Sequence, residues 1–445
     1  MPSLLVRNAT ILTMNDALDV VEGDVLVRDG RIASVGPAAG SAAPKADTVV
    51  DARQGFVLPG LVQTHLHLCQ TLFRGYADDL PLLEWLRARV WPMEAAHTAA
   101  SLRASAELAA LELLRTGTTA VLTMETVHDT EAVLEAIAPT GLRATVGKCM
   151  MDAAAEGVPA RLREQTSRSI DDSLALRRRW DGAAGGRLRV ALAPRFAVSC
   201  TRELLEGVAE QSRRDHTLVH THASESRAEI DLVRQTTGMT NVAYLEATGL
   251  ASPRLCVAHC IWVDEDEQAL LASHDAKVLH CPGSNLKLGS GLAPIAELHA
   301  RGVCVSLGAD GAACNNRLDM FDEMRLAATL QAVRRGPGAL PARTVLWMAT
   351  RGGARTLGLE HEIGSIEPGK QADLIVVDRD RSCLRGAPDP YSALVYAARG
   401  TDVRTTVVGG DVLVADFEPT RLDGEAIAAR AAVEARALAA RAGIR

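Results

Sequence analysis

The feature that most constrains this chain is a rhythm of eight short apolar runs between residues 57 and 310. They are VLPGLVQTHLHL, TTAVLTM, LRATVGK, LRVALAPR, TLVHTH, LCVAHC, AKVLHCP and VCVSLGAD. Segments of helical character lie between most of them, at 101–114, 201–213, 225–235 and 319–333. Strands alternating with helices build parallel sheets. Eight such units in roughly 300 residues suit a closed (β/α)8 TIM barrel, of the α/β class. A doubly wound open sheet competes, but it gives no account of how the runs end. All but TTAVLTM finish on polar or ionisable residues: His65 and His67, Lys148, Arg195, His220 and His222, His259, His280 and Asp310. In a barrel these ends converge on one face, where such enzymes keep their active sites.

Both ends of the chain have a different texture. SLLVRNATILTM, DVLVRDGRIASVG and ADTVVDARQGFVLPG alternate aliphatic and polar residues between turn signals, and ADLIVVD and VRTTVVGGDVLVAD do the same near the C-terminus. We therefore expect a small β-sandwich domain assembled from 1–57 and 361–420, flanking a barrel at 58–360. An Ala/Arg/Glu-rich helix is expected within 421–445. The net charge of −7 argues against a nucleic-acid backbone as partner, since phosphate binding needs a basic face. No apolar stretch approaches the ~20 residues that span a bilayer, and the start lacks the pattern of a secretory signal. Nine scattered cysteines read as reduced thiols, so a cytoplasmic location with a small-molecule substrate is the expectation.

His65 and His67 stand two apart on a strand, so both rings point to one side and suit a divalent metal. Alone, such a pair is commonly incidental; the later strand-end histidines and Asp310 change that. In the fifth run only one histidine need bind. His222, nearer the strand end and three residues before Glu225, is the better ligand, with His220 deeper as a packing or supporting residue. Three imidazoles and one carboxylate leave room for a water that a metal would acidify towards a pKa of ~7. Glu225 has two readings: a first-turn acid of the following helix, favoured there by the dipole, or a proton shuttle beside the metal. His259 is either a satisfied core residue or a group that polarises the water. His280 is a weaker candidate that would orient a neighbour or cap the barrel. Cys256 and Cys260 flank His259 without the second pair that a thiolate zinc site needs.

The segments PGLVQTHLHLCQTLFRGYADDLPLLEWL, HTHASE, AHC, HCPGSNLKLGSG, LGADGAACNN and GSIEPGKQADLIVVD together resemble the amidohydrolase superfamily. More narrowly they resemble its branch of nucleoside deaminases, guanine deaminase and triazine hydrolases. The resemblance implies metal ligands at His65, His67, His222 and Asp310, with Asp310 also helping to activate water. It implies Glu225 as general acid/base and His259 as its catalytic partner. Two-metal members carry a bridging lysine at the fourth strand end. Arg195 stands there instead, which implies a single Zn2+ or Fe2+. A homo-oligomer is also implied.

Within that branch the chain is most similar to the 5'-deoxyadenosine deaminases, whose relatives act on 5'-methylthioadenosine and S-adenosylhomocysteine. That similarity implies Glu94 on the ribose hydroxyls and Trp85 beside it, against plain readings as a surface Glu and a half-buried Trp. Lys148 and Arg195 then face the substrate, where an Arg and a His are expected. Both departures speak against a long substrate with a carboxylate. Gln70 and Arg195, in a PRFxxSC pattern, also occur in guanine deaminase, where they read the purine's carbonyl and ring nitrogens. The alternatives are therefore a guanine or other aminopurine deaminase, an s-triazine amino- or chlorohydrolase, and a non-catalytic scaffold. The last typically loses ligands that this chain keeps.

Overall fold

A computed structural model describes residues 3–37, 39, 46–154, 156–380 and 383–444. Its centre is an eight-stranded parallel sheet of Leu61–Leu66 (β1), Thr118–Met124 (β2), Arg143–Met150 (β3), Leu188–Pro194 (β4), Val219–Ala223 (β5), Leu255–His259 (β6), Lys277–His280 (β7) and Cys304–Leu307 (β8). Each strand pairs with its sequence neighbour. The strands are buried along nearly their whole length, as parallel strands covered on both faces must be. The last strand returns to the first to close the barrel. Thr64 Oγ1 donates to Leu307 O at 3.0 Å, and Asp310 N–H donates to His65 O at 3.0 Å. Gly308 permits that approach: a Cβ there would lie 2.7 Å from His65 N and O.

The intervening helices begin on side-chain caps that the sequence carries. Thr98 caps Ala99–Arg115, Thr201 caps Arg202–Asp215 and Ser226 caps Arg227–Thr237. Ser226 and Glu229 form a reciprocal capping box, so the helix starts after Glu225. The first-turn acid is therefore Glu229, and Glu225 is left in the loop at the barrel mouth.

The termini meet in a nine-stranded mixed sheet. Phe56–Pro59 runs parallel to Ser3–Leu12 on one side and antiparallel to Leu374–Val377 on the other, joining the two ends of the chain. The stretch ADTVVDARQGFVLPG is two strands, Thr48–Asp51 and Phe56–Pro59, because Arg53 and Gln54 both adopt positive φ in a turn. Arg143 at the foot of β3 forms a bidentate pair with Asp373 (2.9 and 3.1 Å), tying barrel to sheet. The C-terminal helix Gly424–Ala442 buries Ile427, Ala431, Leu438 and Ala439, and Arg430 pairs with Glu107 on Ala99–Arg115. Among the described residues no helix is long and apolar enough to cross a membrane.

Candidate active site

The barrel brings His65, His67, His222, His259 and Asp310 together at the C-terminal ends of β1, β5, β6 and β8. His65 Nε2 and His67 Nε2 each lie 3.2 Å from Asp310 Oδ1, and His222 Nε2 lies 3.4 Å from His67 Nε2. The outer nitrogens are held by the scaffold. His67 Nδ1 is 2.7 Å from Met124 O, and His222 Nδ1 is 2.7 Å from Arg195 O. A carbonyl only accepts, so each ring carries its proton on Nδ1 and turns a lone pair inward from Nε2. His65 Nδ1 is 2.7 Å from His220 Nε2, so His220 supports the cluster from one layer deeper.

Electrostatics agrees with that arrangement. Burial pushes His65 down to about 4, and burial with neighbouring imidazoles drives His220 and His222 well below the usual histidine value. Neutral rings are what ligation requires. Burial pulls His67 the same way, but Asp310 outweighs it and raises this one ring. Burial would raise Asp310, yet His65 and His67 hold it well below the carboxylate range. Two support groups fix that carboxylate: Ser284 Oγ donates to Oδ2 at 2.7 Å and Gly311 N–H donates to Oδ1 at 2.8 Å.

The same residues pass a direct test for a cation. His65 Nε2 is buried and makes no hydrogen bond, an orphan that a protein interior rarely tolerates without a purpose. Donor atoms of His65, His67 and His222 lie within 4.8 Å of one another, as do those of His65, His259 and Asp310. Imidazole nitrogen with one carboxylate oxygen is a zinc-type donor set.

Beside this cluster, Glu225 Oε2 is 3.5 Å from His259 Nε2. Burial, reinforced by Asp310, raises Glu225 well above the usual carboxylate range. Its backbone N–H donates to Glu229 at 2.8 Å, which fixes the loop. His259 Nδ1 is 2.9 Å from Asn285 Oδ1, which leaves Nε2, free of hydrogen bonds, facing Glu225 and Asp310. Ser224, His259 and Asp310 all adopt left-handed φ (56°, 74° and 63°), costly for non-glycine residues and concentrated where the side chains must turn inward. His280 is buried without a hydrogen bond among the described residues and burial lowers it to about 3.

The cavity over the cluster is lined by His67, Gln70, Leu82, Trp85, Leu86, Arg195, Phe196, His222, Glu225, His259 and Asp310. About 20 Å³ is free there, room for one water. Sequence reasoning missed Leu82, Leu86 and Phe196, since apolar residues carry no chemical signal. The lid above the cavity is Leu82–Trp85, the π-turn Leu86–Val90, and Trp91–Ala96. Trp91 N–H reaches back five residues to Leu86 O where Pro92 has no amide to continue the regular ladder.

Two residues expected to contact the substrate do not line this cavity. Lys148 is not at the cavity: its ammonium sits 2.7 Å from both oxygens of Glu164. Side chains alternate along a strand, and Cys149 is the β3 residue that reaches Arg195, so Lys148 faces the outer side. Glu94 stands one layer behind the wall. Its carboxylate takes Arg195 in a bidentate pair (2.5 and 3.1 Å) and accepts from Gln70 Nε2 at 2.9 Å. Gln70, Trp85 and Arg195 do line the cavity.

The amidohydrolase family model matches residues 56–413. The chain is 39% identical over 444 residues to a 5'-deoxyadenosine deaminase of Methanosarcina acetivorans, covering 99% of this chain and 100% of that one. It is 39% identical over 432 residues to a 5-methylthioadenosine/S-adenosylhomocysteine deaminase of Moorella thermoacetica, covering 97% and 98%. Among solved structures it matches a zinc-bound adenosine deaminase from Xanthomonas campestris (TM-score 0.91, 32% identity, 99% of each chain). It also matches a zinc-complexed atrazine chlorohydrolase from Arthrobacter aurescens (0.90, 27%, 97% and 100%) and an E. coli guanine deaminase (0.84, 26%, 93% and 99%).

Proposed function

The chain belongs to the amidohydrolase family, and from that premise we propose that it is a metal-dependent deaminase of adenosine-type nucleosides, 5'-deoxyadenosine foremost. One observation carries the reading. Three inward-facing imidazoles and an aspartate share a centre, with a buried glutamate and a histidine against it. His65, His67, His222 and Asp310 would hold one divalent ion, zinc or ferrous iron. Such an ion supplies Lewis acidity, which makes hydroxide available from water at neutral pH.

The chain's own groups manage the protons. Glu225 gives its proton to the purine ring nitrogen next to C6, which makes C6 electrophilic. Water adds its oxygen to C6, and its departing proton restores Glu225. His259 Nε2, kept free of a proton by Asn285, accepts a hydrogen bond from the added hydroxyl. Asp310 takes that hydroxyl's proton and passes it to the amino group, the C6–N bond breaks, and ammonia leaves with the inosine-type product. Before this the lid segment around Leu82 and Leu86 must move outward, because the cavity is filled as it stands.

The guanine reading needs Arg195 free for the base carbonyl, and its guanidinium is taken up by Glu94. Ammonia release should therefore be fastest with 5'-deoxyadenosine in a panel of adenosine, 5'-methylthioadenosine, S-adenosylhomocysteine and guanine. Glu225→Gln should abolish it while metal stays bound. Guanine as the preferred substrate, or an active Glu225→Gln, would overturn the proposal.

A further inference from the structure

At the end of the barrel opposite the histidine cluster lies an open cavity of about 690 Å³, and none of the roles assigned so far uses it. It sits among the N-terminal ends of β3 to β7, and Thr145, Arg189, Thr217, Arg254 and Lys277 line it. Ala191, Cys256 and Leu279 belong to one apolar cluster that gathers side chains from five strands, which only the barrel interior allows. Side chains alternate along a strand, so Arg189, Arg254 and Lys277, each two residues earlier, point to that same inner side. A layer of cations therefore lies directly beneath the apolar plug.

Those cations are in excess. Five side chains around the cavity carry a fixed positive charge and three a negative one, in a chain whose net charge is −7. Asp275 is shared: its carboxylate lies 2.6 Å from Lys277 Nζ and 3.1 Å from the Arg355 guanidinium. Asp181 accepts from Val190 N–H at 3.1 Å and lies 3.9 Å from Arg177, while Glu360 is exposed. Arg189 and Arg254, both half-buried, are left without a carboxylate partner among the described residues; Arg254 Nε reaches Ser212 Oγ at 3.3 Å. A purely structural role would pair them, because like charges gathered in a half-buried space repel. Thr217 is an independent sign of a ligand. It is 4% exposed, it lines the cavity, and its hydroxyl has no hydrogen-bond partner, a state that buried polar groups rarely keep.

We infer that this cavity binds a phosphomonoester. Arg189 stands on β4, Arg254 just before β6, and Thr217 just before β5, which runs between them. Two strand spacings are roughly 10 Å, a span that two arginine side chains close around one phosphoryl group, each as a charge-assisted fork. The Thr217 hydroxyl donates to a phosphoryl oxygen. The space exceeds what a free phosphate fills and falls within the range of about 300–1,000 Å³ that holds organic ligands. Leu218 and Leu357 give the organic part an apolar wall, suited to a sugar phosphate or a mononucleotide.

The test is calorimetric titration of the full protein with ribose 5-phosphate, uridine 5'-monophosphate and inorganic phosphate, none of which offers an aminopurine to the histidine cluster. One site is expected, with a phosphomonoester bound about tenfold more tightly than inorganic phosphate because its organic part is buried as well. Arg189→Gln and Arg254→Gln should each weaken that binding about tenfold or more. Thermal melting in phosphate-free buffer separates a ligand site from a structural one. Neither variant should melt below the wild type, since each loses an unpaired cation. No binding of any of the three anions, or binding that both variants retain unchanged, would overturn the site. Equal affinity for inorganic phosphate and both esters would overturn the ester assignment. Lower melting temperatures in both variants would assign the arginines to the fold and overturn it too.

Discussion

Replacing Glu323 with Gln should change how the fold responds to pH. Glu323 is 1% exposed, accepts from Gly283 N–H at 3.0 Å and Asn315 Nδ2 at 2.8 Å, and faces no cation among the described residues. Burial lifts its carboxyl from an ordinary 4.5 to about 8. Because the folded-state value is the higher one, the native protein binds a proton that the unfolded chain has released. Stability from this group is therefore complete below pH 4.5 and is lost as pH rises through 8. Across that window the slope is about 1.4 kcal/mol per pH unit. Between pH 5.5 and pH 7.5 the wild type should lose about 2.5 kcal/mol through Glu323 alone. The amide of Glu323→Gln cannot titrate, so the variant escapes this loss but forfeits one acceptor at every pH. The assay is urea unfolding of both proteins at the two pH values. The variant should gain about 2.5 kcal/mol on the wild type at the higher pH, and histidine titrations common to both cancel. A difference between the proteins that stays constant with pH would refute the reasoning.

Other outcomes follow from the same contacts. Asn285→Ala removes the partner of His259 Nδ1 and should lower kcat about 10–100-fold with KM nearly unchanged, as steady-state kinetics would show. An unaltered kcat would mean that His259 needs no orienting. Lys148→Met leaves Glu164 buried without its counter-charge and should cost about 3 kcal/mol in a melting experiment, with KM for nucleosides within about threefold. A large rise in KM with no loss of stability would return Lys148 to the substrate.

Much of this was legible in the sequence, and the exceptions have physical causes. All eight apolar runs became barrel strands because parallel strands buried on both faces must be apolar throughout, which leaves a clear mark. The histidines and Asp310 stood out because they gather towards the C-terminal ends of those runs. The turn at Arg53 and Gln54 was missed, since neither residue advertises positive φ. Lys148 was expected at the substrate and pairs with Glu164 here: strand alternation was readable, but which face looked inward was not. The Arg195–Glu94 pair joins residues 101 positions apart and depends on how the lid folds over β4. Ser284 and Asn285 lay in plain view in HCPGSNLKLGSG, yet their roles appear only when β6 and β8 are brought beside them.

The most direct test is anomalous diffraction at the zinc edge from crystals of the protein grown with zinc. One peak is predicted, within about 2.0–2.2 Å of the Nε2 atoms of His65, His67 and His222 and of an Asp310 carboxylate oxygen. A metal bound elsewhere, or those four groups left unliganded in an enzyme that still releases ammonia, would contradict the account.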